Sequence, residues 1–273
     1  MLTTIISRDA RPLDNDHLAR LAPAIFADAP HASRSERYSF VPTIAVLDAL
    51  RSGGWVPVAA MQGRARDLSR IGVQRHVVRL RHPDMVARSV GDLVPELVVV
   101  NSHDGTSSYQ LHAGVFRLVC GNGMVVADTT FAKVAIPHFA VKPAEILEAS
   151  YEVIEDVPQV VGAVESMRAL PLSTEEQTIF AREAASLRWD DDKLPIDPAQ
   201  LLTTRRREDR AADLWTTLNV VQENMIRGGL RGRTTTGKRQ RTFGIKSAAE
   251  DTRINNALWR LADEMRRLKG AAN

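Results

Sequence analysis

The chain of 273 residues has little of what secreted and membrane-spanning proteins depend on. Its single cysteine, Cys120, cannot close an intrachain disulfide, which indicates a reducing compartment. No apolar run approaches the roughly 20 residues that a membrane-spanning helix needs. The first residues lack the charged head and apolar core of a signal peptide. We therefore expect a cytoplasmic protein that does not bind membranes.

Motifs for catalysis and for cofactor binding are also scarce. The seven histidines show no metal-ligand spacing, and a single cysteine argues against a zinc site. Residues 232–239 are close to a phosphate-binding loop, but Arg239 stands where that loop requires Ser or Thr to hold magnesium. We accordingly predict no catalytic residue, no metal and no cofactor, and thus not an enzyme. An enzyme whose site follows no familiar pattern is the open alternative.

Charge is distributed unevenly along the chain. Residues 1–140 carry 15 basic and 12 acidic side chains, residues 141–200 carry 5 and 13, and residues 201–273 carry 16 and 8. The middle segment therefore has a net charge of −8, and the last segment has a net charge of +8. This pattern indicates either a polyanionic partner or attraction between the two segments within the fold.

Hydrophobic periodicity predicts an α+β protein whose character changes near residue 140. In residues 1–140, apolar residues alternate in several short segments, and Asp104-Gly105 marks a hairpin turn, so we expect a mostly antiparallel sheet with helices. Residues 141–273 are predicted to be helical, with a helix kinked or broken at Pro158. The predicted domains are thus an α+β core, 1–140, and a helical region, 141–273.

Residues 227–247 contain seven basic side chains and no acidic one. Five glycines and four threonines predict a flexible loop between two helices, and a loop of this length is usually functional or disordered. Guanidinium groups suit phosphate oxygens, and glycines let the backbone approach a nucleic acid closely. A solvated, disordered loop is the alternative. The predicted nucleic-acid contacts in this segment are Arg227, Arg231, Arg233, Lys238, Arg239, Arg241 and Lys246.

A second basic cluster lies between residues 64 and 81. On a strand, Arg79 and Arg81 face the same side and form a basic stripe. A solvated sheet face explains this stripe equally well. The predicted nucleic-acid contacts in this cluster are Arg64, Arg66, Arg70, Arg75, Arg79 and Arg81.

Trp55 follows Gly53-Gly54 at a predicted junction between a helix and a strand. A large ring at this position can cover the edge of the core, so we predict a structural role. Base stacking is the functional alternative, because aromatic side chains form platforms for unpaired bases.

Three stretches carry a likeness to a known family: YSFVPT at residues 38–43 with Gly54-Trp55, PELVVVNSHDGTSSY at 95–109, and FRLVCGNGM at 116–124. They resemble the phage- and plasmid-borne family catalogued as domain of unknown function 932. The resemblance covers roughly residues 30–270. It implies no established activity, no cofactor and no known catalytic residues.

The predicted order of elements is also similar to the core of single-strand annealing proteins of the recombination-mediator superfamily. Such proteins form rings or filaments, bind single-stranded DNA in a basic groove and pair complementary strands without ATP. The likeness implies ATP-independent DNA binding and strand annealing in phage or plasmid recombination, by a homo-oligomer. The alternative function is that of a mobile-element interaction protein, an anti-restriction or anti-defence factor that binds a host protein.

Overall fold

The computed structural model describes residues 12–35, 38, 40–65, 67–86, 93–117, 122–125, 133–136, 142–190, 194–233, 237 and 239–270. The chain divides into two compact units. The first comprises residues 1–158 with 247–249, and the second comprises residues 159–246 with 250–273. The boundary thus lies later than the predicted residue 140.

The first unit is built on a six-stranded sheet in which every pairing is antiparallel. Strands β1 to β4 are neighbours in sequence order, and two short strands both pair with β4, one at each end of it. The predicted α+β class with an antiparallel sheet is confirmed. The strands are β1 (Val56–Gln62), β2 (His76–Arg81), β3 (Leu93–Asn101), β4 (Tyr109–Arg117), β5 (Asn122–Val125) and β6 (Lys133–Ile136).

The central strand β3 is covered on both faces. Successive side chains of a strand point to opposite faces, yet every residue from 94 to 101 is buried. On one face Val98 and Val100 pack with Val77 of β2 and with Met61 of β1. The other elements of this unit are therefore needed to keep water from the sheet.

The helices of the first unit are α1 (Asn15–Leu21), α2 (Thr43–Ser52), α3 (Pro83–Val86) and the first half of α4 (Pro143–Ala169). Helix α2 buries Val46, Leu47 and Leu50, whose spacing places them on one helical face. Gly53 is its C-cap, and Gly54 follows with φ of +90°, a conformation that favours glycine. Helix α4 continues across Pro158, so the break is wrong, and the predicted kink at this residue stays a prediction.

Trp55 is fully buried and joins the sheet to α4 within the first unit. Its indole Nε1 donates to the Ser150 hydroxyl over 2.9 Å, and its ring centroid lies 5.2 Å from that of His82. The predicted structural placement of this tryptophan is confirmed. The same contact explains the late boundary, because it makes the first half of α4 part of the sheet's core.

The turn between β3 and β4 rests on a buried polar network. Thr43 Oγ1 lies 2.8 Å from His76 Nε2 and 3.2 Å from His103 Nε2, and it accepts from Asn101 Nδ2 over 2.9 Å. His76 Nδ1 donates to the Gln74 carbonyl over 2.9 Å. Burial lowers the pKa of His76 to about 4, so the ring is neutral at pH 7 and its Nε2 accepts the Thr43 proton. The network ties α2 to the hairpin.

The second unit consists of helices and one small hairpin. Ser173 and Glu176 form the predicted capping box at the start of α5. The rings of Trp215 on α6 and Trp259 on α7 meet edge to face, 6.4 Å between centroids, in the core. Besides the end of α4, the elements are α5 (Thr174–Ser186), α6 (Leu214–Arg227), β7 (Arg231–Arg233), β8 (Arg239–Arg241) and α7 (Ala248–Gly270).

We predict that Trp55→Ala destabilises the protein by about 3–5 kcal/mol, the range for truncating a buried aromatic side chain. The change leaves a cavity at the sheet and removes the hydrogen bond to Ser150. Urea denaturation measures the loss. Leu268→Ala is the control, because Leu268 is 73% exposed and its truncation is expected to change stability by less than about 0.5 kcal/mol. Equal stability of the Trp55 variant and wild type would contradict the structural role.

Candidate nucleic-acid interface

The basic segment after α6 folds into a hairpin. Strands β7 and β8 pair antiparallel across a turn that includes Gly237. The described residues of this segment therefore form a hairpin and not the predicted loop, while its flexibility stays a prediction. Glycine and threonine content suggested a loop, whereas the pairing of two three-residue strands leaves no periodic signal. The register is Arg231 with Arg241, Gly232 with Gln240, and Arg233 with Arg239.

This register places four arginines on one face of the hairpin. Residues two apart on a strand, and residues directly opposite on its partner, share a face. All four side chains are exposed, and within the described part of the chain the ion pairs of this unit involve other residues. Like charges directly opposite each other destabilise a strand pair. The arginine face, Arg231, Arg233, Arg239 and Arg241, therefore favours the approach of an anion.

The other face of the hairpin rests on the unit at Gly232. A Cβ atom there would lie 2.6 Å from Ile196 Cγ2 and 2.9 Å from Ile196 Cα, closer than packed atoms approach. Gln200 Nε2 donates to the Arg231 carbonyl over 2.9 Å on the same side. Because Gly232 faces the unit, the arginine side chains of both strands face away from it.

Two further arginines hold the base of the hairpin. Arg205 Nη2 donates to the Gly228 carbonyl over 2.7 Å, and Arg188 Nη2 donates to the Phe243 carbonyl over 2.7 Å. Arg188 Nη1 also donates to the carbonyl of Met225, one of the last carbonyls of α6. Such carbonyls have no partner within their own helix. The two guanidinium groups thus provide hydrogen-bond donors for carbonyls at the end of α6 and at the base of the hairpin. These bonds fix the position at which the hairpin leaves α6.

The remaining predicted contacts of this segment differ in availability. Arg227 lies 2.8 Å from a Glu223 carboxylate oxygen, and that buried carboxylate also binds Arg206 at 2.7 Å. The positive charge of Arg227 is therefore partly neutralised within the unit. Lys246 is exposed, and Lys238 lies outside the described residues. The four arginines of the hairpin face remain the strongest candidates.

Both arginines of the predicted basic stripe of the first unit lie on the same side, against one carboxylate. The Nε atoms of Arg79 and Arg81 lie 2.5 and 2.9 Å from the two carboxylate oxygens of Glu96 on β3. Glu96 is only 1% exposed, so it needs these cations as partners. The two arginines therefore neutralise a buried carboxylate, and we exclude them from the interface.

The other arginines of that cluster differ in their burial and in their partners. Arg70 Nη1 pairs with Asp104 over 3.1 Å. Arg75 is half-buried, and burial lowers the pKa of its guanidinium. Arg64 is exposed, and Arg66 lies outside the described residues. The described arginines of this cluster thus do not form one basic surface comparable with the arginine face.

Phe243, which the sequence did not single out, is 75% exposed beside the arginine face. Thr242 between it and Arg241 is buried, and the Thr242 N–H donates to the Leu230 carbonyl over 2.9 Å. Strand pairing therefore extends past β8, and alternation places Phe243 on the side of Arg241. Leaving such a ring in water forgoes about 1.5–3 kcal/mol of burial free energy. A lone aromatic in a Gly- and Arg-rich segment has no periodicity that would reveal it.

No described helix has the length and apolar character required to span a bilayer. Likewise, the described His, Cys, Asp and Glu side chains form no group of three or more that could hold a metal ion.

A family model described as a domain of unknown function, DUF932, matches residues 30–259. The chain belongs to the DUF932 family. Two Escherichia coli K12 proteins, "UPF0380 protein YafZ" and "UPF0380 protein YfjQ", are each 40% identical to it over 261 residues. The alignments cover 96% of this chain and 94% of each relative, so the shared region includes most of both compact units. No solved structure matches the chain.

We predict that Gly232→Ala destabilises the second unit by about 1–3 kcal/mol, the usual cost of overpacking. The added methyl group meets the backbone of Ile196, so the hairpin must shift. Thermal melting measures the effect. Gly162→Ala is the matched control, because a Cβ there meets nothing within 4 Å and alanine favours the interior of α4. A Gly232 variant as stable as wild type would show that the hairpin does not rest on Ile196.

Proposed function

We propose that the protein binds single-stranded DNA through the arginine face and anneals complementary strands without ATP. The observation that carries this proposal is the register of β7 and β8, which gathers four exposed arginines on one side of the hairpin. Opposed cations raise the free energy of the unbound hairpin, and phosphate groups relieve that repulsion. A polyanion is therefore the ligand that this surface suits best.

The arrangement favours binding with little sequence preference. Arginine binds phosphate oxygens in bidentate geometry, and contacts to phosphates position a protein without reading bases. The hairpin is anchored at Gly232 and by Arg188 and Arg205, so the four guanidinium groups stand on a supported platform. The protein would thus follow the backbone of any strand.

Annealing is proposed from the likeness to single-strand annealing proteins. That likeness rests on the order of α2, Gly54-Trp55, β1, β2 and the β3–β4 hairpin, with the short helix α3 between β2 and β3. Two short strands, β5 and β6, come before the long helix α4 in this chain. One hairpin offers only four described arginines, so several subunits are needed to hold a strand long enough to find its complement. We therefore propose a homo-oligomer as the active form.

We expect wild-type protein to bind a 20-nucleotide single strand with an affinity that falls as salt rises. Four phosphate contacts on a single strand correspond to a slope of log K against log salt of about −2.8, or about 50-fold weaker binding at 200 mM than at 50 mM salt. The double variant Arg233→Gln/Arg239→Gln removes one opposed pair and should reduce the slope by about 1.4. Fluorescence anisotropy over a salt series measures both slopes.

The control for this experiment is Arg182→Gln/Arg260→Gln, which removes the same charge from exposed positions on α5 and α7. Its salt slope should equal that of wild type. Wild-type binding that does not change between 50 and 200 mM salt would overturn phosphate binding. A complex with a host protein that is insensitive to salt, together with no affinity of this protein for DNA, would instead indicate a mobile-element interaction factor.

We further expect the protein to accelerate the annealing of complementary oligonucleotides in EDTA and without nucleotide. Positioning and charge neutralisation require neither metal nor ATP. A fluorescence-quenching assay measures annealing, and light scattering should show a species well above the 30.1 kDa monomer. A strict monomer that binds DNA but never accelerates annealing would remove annealing and leave DNA binding in place.

A further inference from the structure

We propose that Phe243 is a stacking platform for an unpaired nucleobase, and that the arginine face binds the phosphates on either side of that base. This inference rests on the proposed function, which it deepens. It assigns the ligand to single strands with accessible bases, rather than to polyanions in general.

The backbone of Phe243 is held on several sides while its ring is left in water. Arg188 Nη2 donates to its carbonyl over 2.7 Å. Gly228 and Gly244 flank it closely: a Cβ on Gly228 would lie 2.5 Å from the Phe243 carbonyl carbon, and one on Gly244 would lie 2.9 Å from the Arg227 carbonyl oxygen. The Ile245 N–H then bonds to the α6 backbone at Ile226 over 2.8 Å. An exposed ring on a fixed backbone is prepared for binding, because little conformational freedom remains to be lost.

The neighbouring charges identify what the ring meets. Arg241 lies two residues away on the same side, and a Cβ on Gly229 would lie 3.4 Å from its guanidinium group. Every base presents a π face, so stacking tolerates any sequence, as phosphate binding does. In a duplex these faces are already stacked on one another, and the ring cannot reach them. An aromatic ring beside four exposed arginines thus suits a single strand.

A second copy of the chain is the other occupant that an exposed phenylalanine suggests. The charges argue against that occupant, because a symmetric contact through this surface would bring two arginine faces together. Repulsion between like charges opposes such an interface unless an anion lies between them. We therefore assign the ring to the nucleic acid.

The experiment compares four ligands: a 20-nucleotide oligothymidine, an abasic strand of equal length, a 20-base-pair duplex and heparin. Wild-type protein should bind the oligothymidine about 5- to 150-fold more tightly than the abasic strand, the range that aromatic stacking contributes per base. Phe243→Ala should lose this preference and keep its affinity for the abasic strand. Phe243→Trp should restore the preference, and Leu268→Ala, which truncates another exposed apolar side chain, should leave it unchanged.

Each further outcome separates this inference from the proposed function. If Phe243→Ala binds every ligand as wild type does while Arg233→Gln/Arg239→Gln binds weakly, the stacking role is overturned and phosphate binding stands. If Phe243→Ala changes the sedimentation of the free protein, the ring lies in a contact between subunits, which also overturns stacking. If wild type binds none of the four ligands, the inference and the proposed function both fail.

Discussion

A buried guanidinium group must bind a carbonyl or a carboxylate oxygen. The arginines of this protein therefore fall into two groups, those that bind such an oxygen within the fold and those that are exposed to solvent. Arg79 and Arg81 enclose the buried carboxylate of Glu96, and Arg188 and Arg205 bind carbonyls at the base of the hairpin. These groups hold the fold together. Among the described residues, the arginine face makes one such contact, from exposed Arg233 to the Gly237 carbonyl over 3.3 Å, and all four side chains are exposed. This contrast identifies it as the candidate interface.

The hairpin can present that face because its other side is built for close approach. Gly232 admits Ile196 where any side chain would collide, and Gln200 binds the strand beside it. The position of the hairpin is thus set by steric fit and by hydrogen bonds to its backbone, while the four arginine side chains remain exposed to solvent and to a ligand. A surface of opposed cations costs stability, so its retention is easier to explain by a polyanionic ligand than by folding.

The elements of the fold were predictable where the signal is local. Alternating apolar residues revealed the antiparallel sheet, and Ser173 with Glu176 marked the start of α5 because a capping box needs only four consecutive residues. The placement of Trp55 followed from its junction after Gly54. The boundary between the units could not be predicted from a local signal. The hydrogen bond from Trp55 to Ser150, which joins half of α4 to the first unit, spans 95 residues.

The sequence by itself determined the class of the protein, its family resemblance and the segment rich in unopposed basic residues, since composition and short-range periodicity are properties of neighbours along the chain. Only the tertiary structure decided which cations are available. Glu96 lies 17 residues from Arg79 in sequence and binds it across two strands, while Arg231 and Arg241 become neighbours through the register of the hairpin. The candidate role of Phe243 likewise depends on tertiary structure, because the exposure of its ring and its position near the arginine face result from pairings between distant residues.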